Sequence, residues 1–247
     1  MRAPFAFAAA GLLSISLPAA GALAQVAIES QRVTFRAGAD STLLKGQLKG
    51  DQTVDYNLRA GAGQTLTVEL KGSNPQNYFN VMAAGTDNAL FIGSSSGNRF
   101  SGFLPSDGDV RVRVYLMRPA ARRNEASTYS LKVGIGGAPL ASVPASRDAL
   151  IPGTPYHASA QVPCVSGSSG KAASCKASVI RRANTSATVV VTNPEGQKRQ
   201  FLFVKGKAVA TDQPEKLTVQ RRGDVSVLLL GENFERYEIV DALVVGG

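Results

Sequence analysis

Three arginines mark where this chain could do chemistry. Arg118, Arg122 and Arg123 lie inside DVRVRVYLMRPAARRNEASTYSLKV, the stretch from Asp109 to Val133. A guanidinium is a planar fork of N–H donors that grips a carboxylate or a phosphate through two parallel bonds. Arg118 and Arg122 are four residues apart. One helical turn between them, which Pro119-Ala120-Ala121 favours, would place both forks on one face. The flanks alternate with period two. Val110, Val112 and Val114 point one way and Arg111, Arg113 and Tyr115 the other. After a polar break over Met117 to Ala126 the alternation returns at Tyr129, Leu131 and Val133. The pattern predicts a long β-hairpin arm with the arginines at its tip. Taken alone, the same residues also describe a solvated basic loop.

The other reactive side chains point to structure rather than catalysis. Cys164 and Cys175 are the two cysteines. In an exported chain they predict a disulfide closing the small loop between them, which contributes roughly 3 kcal/mol in the chain-entropy account. The spacing is not CxxC, so a redox pair is disfavoured. His157 is the single histidine, so no zinc cluster is expected. It lies in an alternating stretch with no identifiable orienting partner, as a structural histidine would. No GxSxG elbow, HExxH, phosphate loop or dinucleotide fingerprint appears. The expectation is a non-enzymatic chain with no cofactor and no metal.

What must hold the arginines is an exported β protein. Met1 to Ala24 has a basic start at Arg2, an apolar run from Phe5 to Leu17, and a small-residue end at Ala22-Leu23-Ala24. That reads as a secretory signal peptide cut before Gln25. No cysteine stands at the cut and no stretch is long and apolar enough for a transmembrane segment. The expected location is periplasmic or secreted. The formal charge is +9, and losing Arg2 with the signal leaves +8. An excess of that kind favours anionic partners without choosing among them. The basic residues are dispersed and carry no nucleic-acid-binding motif, so nucleic acid is not expected. There is no Trp, which argues against a stacking platform.

Short alternating runs separated by Gly, Asn, Asp and Pro turns predict an all-β chain of two small antiparallel β domains. The first, residues 25–136, is expected to be a β-sandwich. Its strands are read at Val26 to Phe35, Leu43 to Leu48, Val54 to Leu58, Gln64 to Leu70, Tyr78 to Met82 and Ala89 to Ile92, with a flexible polar loop from Gly93 to Asn98. Residues 137–155 are rich in Gly, Pro, Ala and Ser and read as a linker. The second domain, 156–247, carries the cysteine loop and ends in an alternating run from Tyr237 to Val245. Asn193-Pro-Glu-Gly196 and Gly223-Asp224 are read as its hairpin turns.

At this point the residues resemble a family, the bacterial periplasmic inhibitors of g-type (goose-type) lysozyme. The likeness is carried by Val33-Thr-Phe-Arg-Ala-Gly38, Gly46-Gln-Leu-Lys-Gly50, Tyr56 and Ala62-Gly-Gln-Thr-Leu-Thr-Val68. Its most specific part runs from Arg113 to Asn124, followed by Tyr129-Ser-Leu-Lys-Val133. It spans roughly residues 26 to 135. The resemblance implies an antiparallel β-sandwich whose loop enters the lysozyme cleft with arginines facing the catalytic acids. Residue by residue, that role falls on Arg118 and Arg122, with Arg123 as a rim contact. The family also uses a tyrosine from the edge of an earlier strand. No tyrosine directly follows Gly50 here; Tyr56 matches a family tyrosine further on, and the resemblance carries a lysozyme contact over to it. The second domain resembles an uncharacterised exported proteobacterial module, which implies no function. The implied partner is g-type lysozyme. The alternative is an envelope-associated binding module for an anionic polymer, using the same arm.

Overall fold

The computed structural model describes residues 28–166, 170–231 and 235–246. The expected signal peptide lies outside them. Two hydrophobic clusters organise the chain. The first draws on residues between Val33 and Val133, the second on residues between Val162 and Val244.

The first cluster is sealed between two sheets. Its strands are β1 (Glu29–Arg32), β2 (Ser41–Lys49), β3 (Thr53–Ala60), β4 (Thr65–Gly72), β5 (Asn77–Met82) and β6 (Ala89–Ile92). A short helix α1 (Gly93–Ser96) leads to β7 (Arg99–Phe103), β8 (Gly108–Leu116), helix α2 (Arg118–Arg122) and β9 (Ala126–Gly136). One sheet has the order β1-β3-β8-β5-β6 and the other β2-β9-β4-β7. Alternation decides which side chains face inward. Val110, Val112 and Val114 of β8 and Leu131 and Val133 of β9 are fully buried. All pairings are antiparallel here except β1 with β3, which is parallel.

The predicted hairpin arm is not formed. β8 sits between β3 and β5 in one sheet, and β9 sits between β2 and β4 in the other. The chain between them crosses the sandwich as an arch, with α2 at its crown. Period-two alternation specifies the face a strand buries, not the neighbour it bonds. β8 and β9 each bond a neighbour on both sides, and the apolar face of each meets that of the other sheet across the core. The polar stretch 93–98, expected as a loop, has the one-turn helix α1 in its first four residues, and β7 follows it unforeseen. The glycines and serines there left no apolar pattern to read.

The second cluster lies inside one curled sheet of eight strands. These are β10 (Ala158–Val165), β11 (Ala172–Arg182), β12 (Ser186–Thr192), β13 (Lys198–Val204), β14 (Lys207–Thr211), β15 (Leu217–Arg222), β16 (Val225–Leu230) and β17 (Glu235–Val240). The order is β14-β13-β12-β11-β10-β17-β16-β15. The chain ends not in a strand but in helix α3 (Asp241–Val245), with Leu243 and Val244 packed into the core. The apolar run from Tyr237 to Val245 does not separate the two states over so few residues. The Cys164–Cys175 disulfide is present, joining β10 to β11 across a Cα separation of 5.9 Å. Gly196 and Gly223 both take positive φ, as turn glycines do.

Residues 137–155 carry no strand, yet they are tied at several points. Leu140 N donates to Ala62 O, and Ser142 bridges Arg182. His157 is part of that clamp. Its Nδ1 faces the Arg181 N–H at 3.0 Å and must accept, so its hydrogen sits on Nε2, which donates to Val143 O at 2.8 Å. The histidine is structural, as its sequence context suggested.

Candidate functional site

Three connections meet at one end of the sandwich. They are the β2–β3 turn, the β4–β5 loop and the α2 arch, and the β6–β7 connection with α1 lies at the same end. The strand registers bring them together: Lys49 pairs with Ala126, Gly72 with Tyr129, and Asn77 with Leu116. The opposite end holds the β3–β4, β5–β6 and β7–β8 connections. β8 has nine residues, so the two ends are about 30 Å apart.

Helix α2 is a single turn with a sided surface. Pro119 stands in its first turn, where no backbone N–H is needed. Ala120 and Ala121 are buried in the first cluster. At roughly 100° per residue, Arg118 and Arg122 lie within about 40° of each other, on the side away from the alanines. Both arginines are exposed, and neither has a hydrogen bond or ion pair among the described residues. The helix turn expected from Pro119-Ala120-Ala121 is therefore present, and it sets the two side by side.

The neighbouring loops hold that turn in place. Asn124 takes a φ of +55°, a left-handed conformation that Asn tolerates, and so ends the helix. Gly50 has φ +59°, and a Cβ there would lie 2.8 Å from Asn124 Oδ1. The positive φ favours glycine there, and any side chain would also have to displace the Asn124 amide. Gly50 N donates to Glu125 O at 2.9 Å, and Met117 N to Gln76 O at 2.9 Å. Glu125 receives Asn74 Nδ2 at 2.8 Å and Arg123 Nε at 2.6 Å. Those two donors, Asn74 first, hold its carboxyl below the usual range. Arg123 is thus exposed but engaged with its own chain, unlike Arg118 and Arg122.

Tyr56 is not at this surface. It is 1% exposed, in the core of β3, and its hydroxyl meets that of Tyr129 at 2.8 Å. A partner protein has no access to it, which corrects its expected role as a contact. Alternation along β3 turns Val54, Tyr56 and Leu58 inward together. The exposed residue after Gly50 is Asp51, where the family resemblance implies a tyrosine. Sequence reasoning missed Asp51 and Asn124 as members of the end surface. The signal for both was the Gly50–Asn124 approach, which joins residues more than seventy apart.

The arginines of β8 are otherwise occupied. Arg113 grips Asp55 through both of its forks at 2.7 Å, and Arg111 Nη2 bonds Asp87 at 3.0 Å. The end surface therefore offers two free guanidinium groups, on a buried anchor, to an anionic partner.

Comparison with known proteins bears on the same half of the chain. No family model matches. The inhibitor of g-type lysozyme of Escherichia coli strain K12 is 27% identical over 108 residues, which are 42% of this chain and 78% of that protein. The first half of the chain is similar to inhibitors of g-type lysozyme. Among solved structures, a periplasmic inhibitor of g-type lysozyme from Aeromonas hydrophila is 38% identical, over 44% of this chain and 97% of that one, with a TM-score of 0.40. A mutant of the Escherichia coli inhibitor is 28% identical, over 44% of this chain and all of that one, with a TM-score of 0.36.

Proposed function

We propose that this chain is a periplasmic protein inhibitor of g-type lysozyme, not an enzyme, and that α2 is the part that enters the target's cleft. One observation carries the reading. Arg118 and Arg122 stand free on the solvent side of a helical turn whose other side is anchored in the core. They do so in the half of the chain that is similar to known inhibitors.

The chemistry is complementary. Glycoside hydrolases as a rule keep a pair of carboxyl groups beside the scissile bond. A guanidinium fork entering that groove meets fixed acceptors in a site from which water is excluded. Truncating one partner of such a desolvated, hydrogen-bonded charge pair costs about 2–5 kcal/mol at an interface. The helical turn, fixed by Ala120, Ala121 and Asn124, places both forks before binding, which reduces the ordering cost of association. Arg123, already bonded to Glu125, serves the rim. We assign inhibition to residues 25–136.

The test is a lysis assay with the purified mature protein against goose-type and chicken-type lysozymes on cell walls. The expected outcome is selective loss of goose-type activity. Combining Arg118→Ala with Arg122→Ala should abolish it without changing the melting temperature. Full inhibition by the double variant would overturn α2 as the plug. No inhibition at large molar excess would overturn the function.

A further inference from the structure

The outer face of the four-stranded sheet has a character of its own. The six charged residues of β2, β4, β7 and β9 are Lys45, Lys49, Glu69, Lys71, Arg99 and Lys132. All six point outward. The registers align Leu43 with Lys132, Glu69 with Lys132 and Arg99, and Lys45 and Lys71 with Ser130. Five cations and one carboxylate give this face a net charge of +4. Glu69 is already engaged by Arg99 at 2.9 Å and Lys71 at 3.4 Å. The outer face of the other sheet carries a comparable number of charges, but they neutralise one another. Arg113 pairs with Asp55, Arg111 with Asp87 and Arg32 with Asp109.

Two apolar side chains share the basic face. Leu43, on edge strand β2, is 59% exposed and is the most exposed large hydrophobic among the described residues. Phe103, on edge strand β7, is 46% exposed and pairs with the outward Thr65. A soluble polyanion has no use for either. A lipid surface uses both elements: lysines near anionic headgroups, and apolar tips at the headgroup–acyl boundary.

We propose that this face docks the protein on an anionic phospholipid bilayer. The sheet lies flat on the headgroups, with the lysines on phosphates and Leu43 and Phe103 inserted at its two edges. α2 is at the end of the strands, not on this face, so a docked molecule keeps Arg118 and Arg122 at its rim and open to a partner. The inference is independent of the lysozyme reading.

Co-sedimentation of the mature protein with vesicles tests it. Binding is expected to phosphatidylcholine mixed with phosphatidylglycerol, not to pure phosphatidylcholine, and to fall steeply with added salt. Combining Lys45→Gln with Lys132→Gln should weaken it roughly 25-fold. Lys205→Gln with Lys207→Gln, which removes equal charge from exposed positions around the start of β14, should leave it nearly unchanged. Leu43→Ser with Phe103→Ser should weaken it at fixed salt. Thermal melts check that each variant is folded. The proposal fails if anionic vesicles do not bind, or if both lysine pairs act equally. It also fails if dextran sulfate is bound as tightly as vesicles and the Leu43→Ser, Phe103→Ser variant binds like the parent protein.

Discussion

Arginine is used in opposite ways at the two ends of the first sandwich. At the α2 end, Arg118 and Arg122 stand in solvent with no partner among the described residues. At the other end Arg182 reaches in from β11, 3% exposed. Its Nε donates to Thr188 Oγ1 at 2.9 Å, and its Nη1 to Leu140 O and to Asp107 Oδ2, both at 2.8 Å. The same end is joined to the eight-stranded sheet by Thr188 Oγ1 donating to Pro105 O at 2.7 Å and Gln200 Nε2 donating to Ala84 O at 3.1 Å. In the Arg182 guanidinium only Nη2 lacks an acceptor among the described residues, and burial keeps the whole group out of another protein's reach. The difference teaches that exposure and lack of a partner, not residue type, make an arginine available for binding. It also shows that the eight-stranded sheet docks at the end away from α2 and leaves that end open.

The largest effect that would break the comparison is at the open end. If Arg118 and Arg122 bind outward, the double alanine variant loses inhibition by about a thousandfold or more, from two charge pairs of about 2–5 kcal/mol each. Its unfolding free energy should stay within about 0.5 kcal/mol of the parent protein, since neither side chain makes a hydrogen bond or ion pair among the described residues. Arg182→Ala should do the reverse. Removing it leaves Leu140 O and the buried Thr188 short of a donor, along with the half-exposed Asp107, and should cost about 3 kcal/mol in urea denaturation. Below its melting temperature the Arg182 variant should still inhibit lysozyme with parental strength. A loss of inhibition there, with the fold intact, would show that the two ends are coupled.

The alternation of single strands was legible in the sequence, and so was the turn that carries Arg118 and Arg122. Val110 to Val114 and Leu131 to Val133 announced their buried faces. What sequence could not give was partnership. The same valines fit a hairpin or two sheets, and only the packing of nine strands decides between them. Tyr56 shows the same limit: its match to a family tyrosine said nothing about direction, and β3 turns it inward onto Tyr129. Arg182 and Gln200 looked like ordinary polar positions on alternating strands. Their burial follows from the docking of the two halves, a contact between residues about a hundred apart that no local pattern records.

A smaller effect separates the two ends by pH. Asp212 is fully buried beside Gln200, at the docked end. Its Oδ1 accepts from Gln200 N at 3.0 Å and Gln213 Nε2 at 3.1 Å, while its Oδ2 has no donor among the described residues. Burial pushes its carboxyl above the usual range. A carboxyl raised on folding contributes stability that is complete below its unfolded value and is lost as pH rises through its folded one. Asp212→Asn keeps the Oδ1 acceptor and removes the charge. It should therefore be more stable than the parent by about 1 kcal/mol near pH 8, with the gap closing toward the unfolded carboxylate value of about 3.9. Glu125, at the open end, is depressed on folding by Asn74 and Arg123, so its contribution has the opposite slope. It is present above the unfolded value and lost as pH falls through the folded one, and it is small because the group is solvated. Paired thermal melts of Asp212→Asn and Glu125→Gln across this range should give differences from the parent that run in opposite directions. An Asp212→Asn gap that stays constant with pH would mean that the buried carboxyl does not titrate there, and that the interface tolerates its charge.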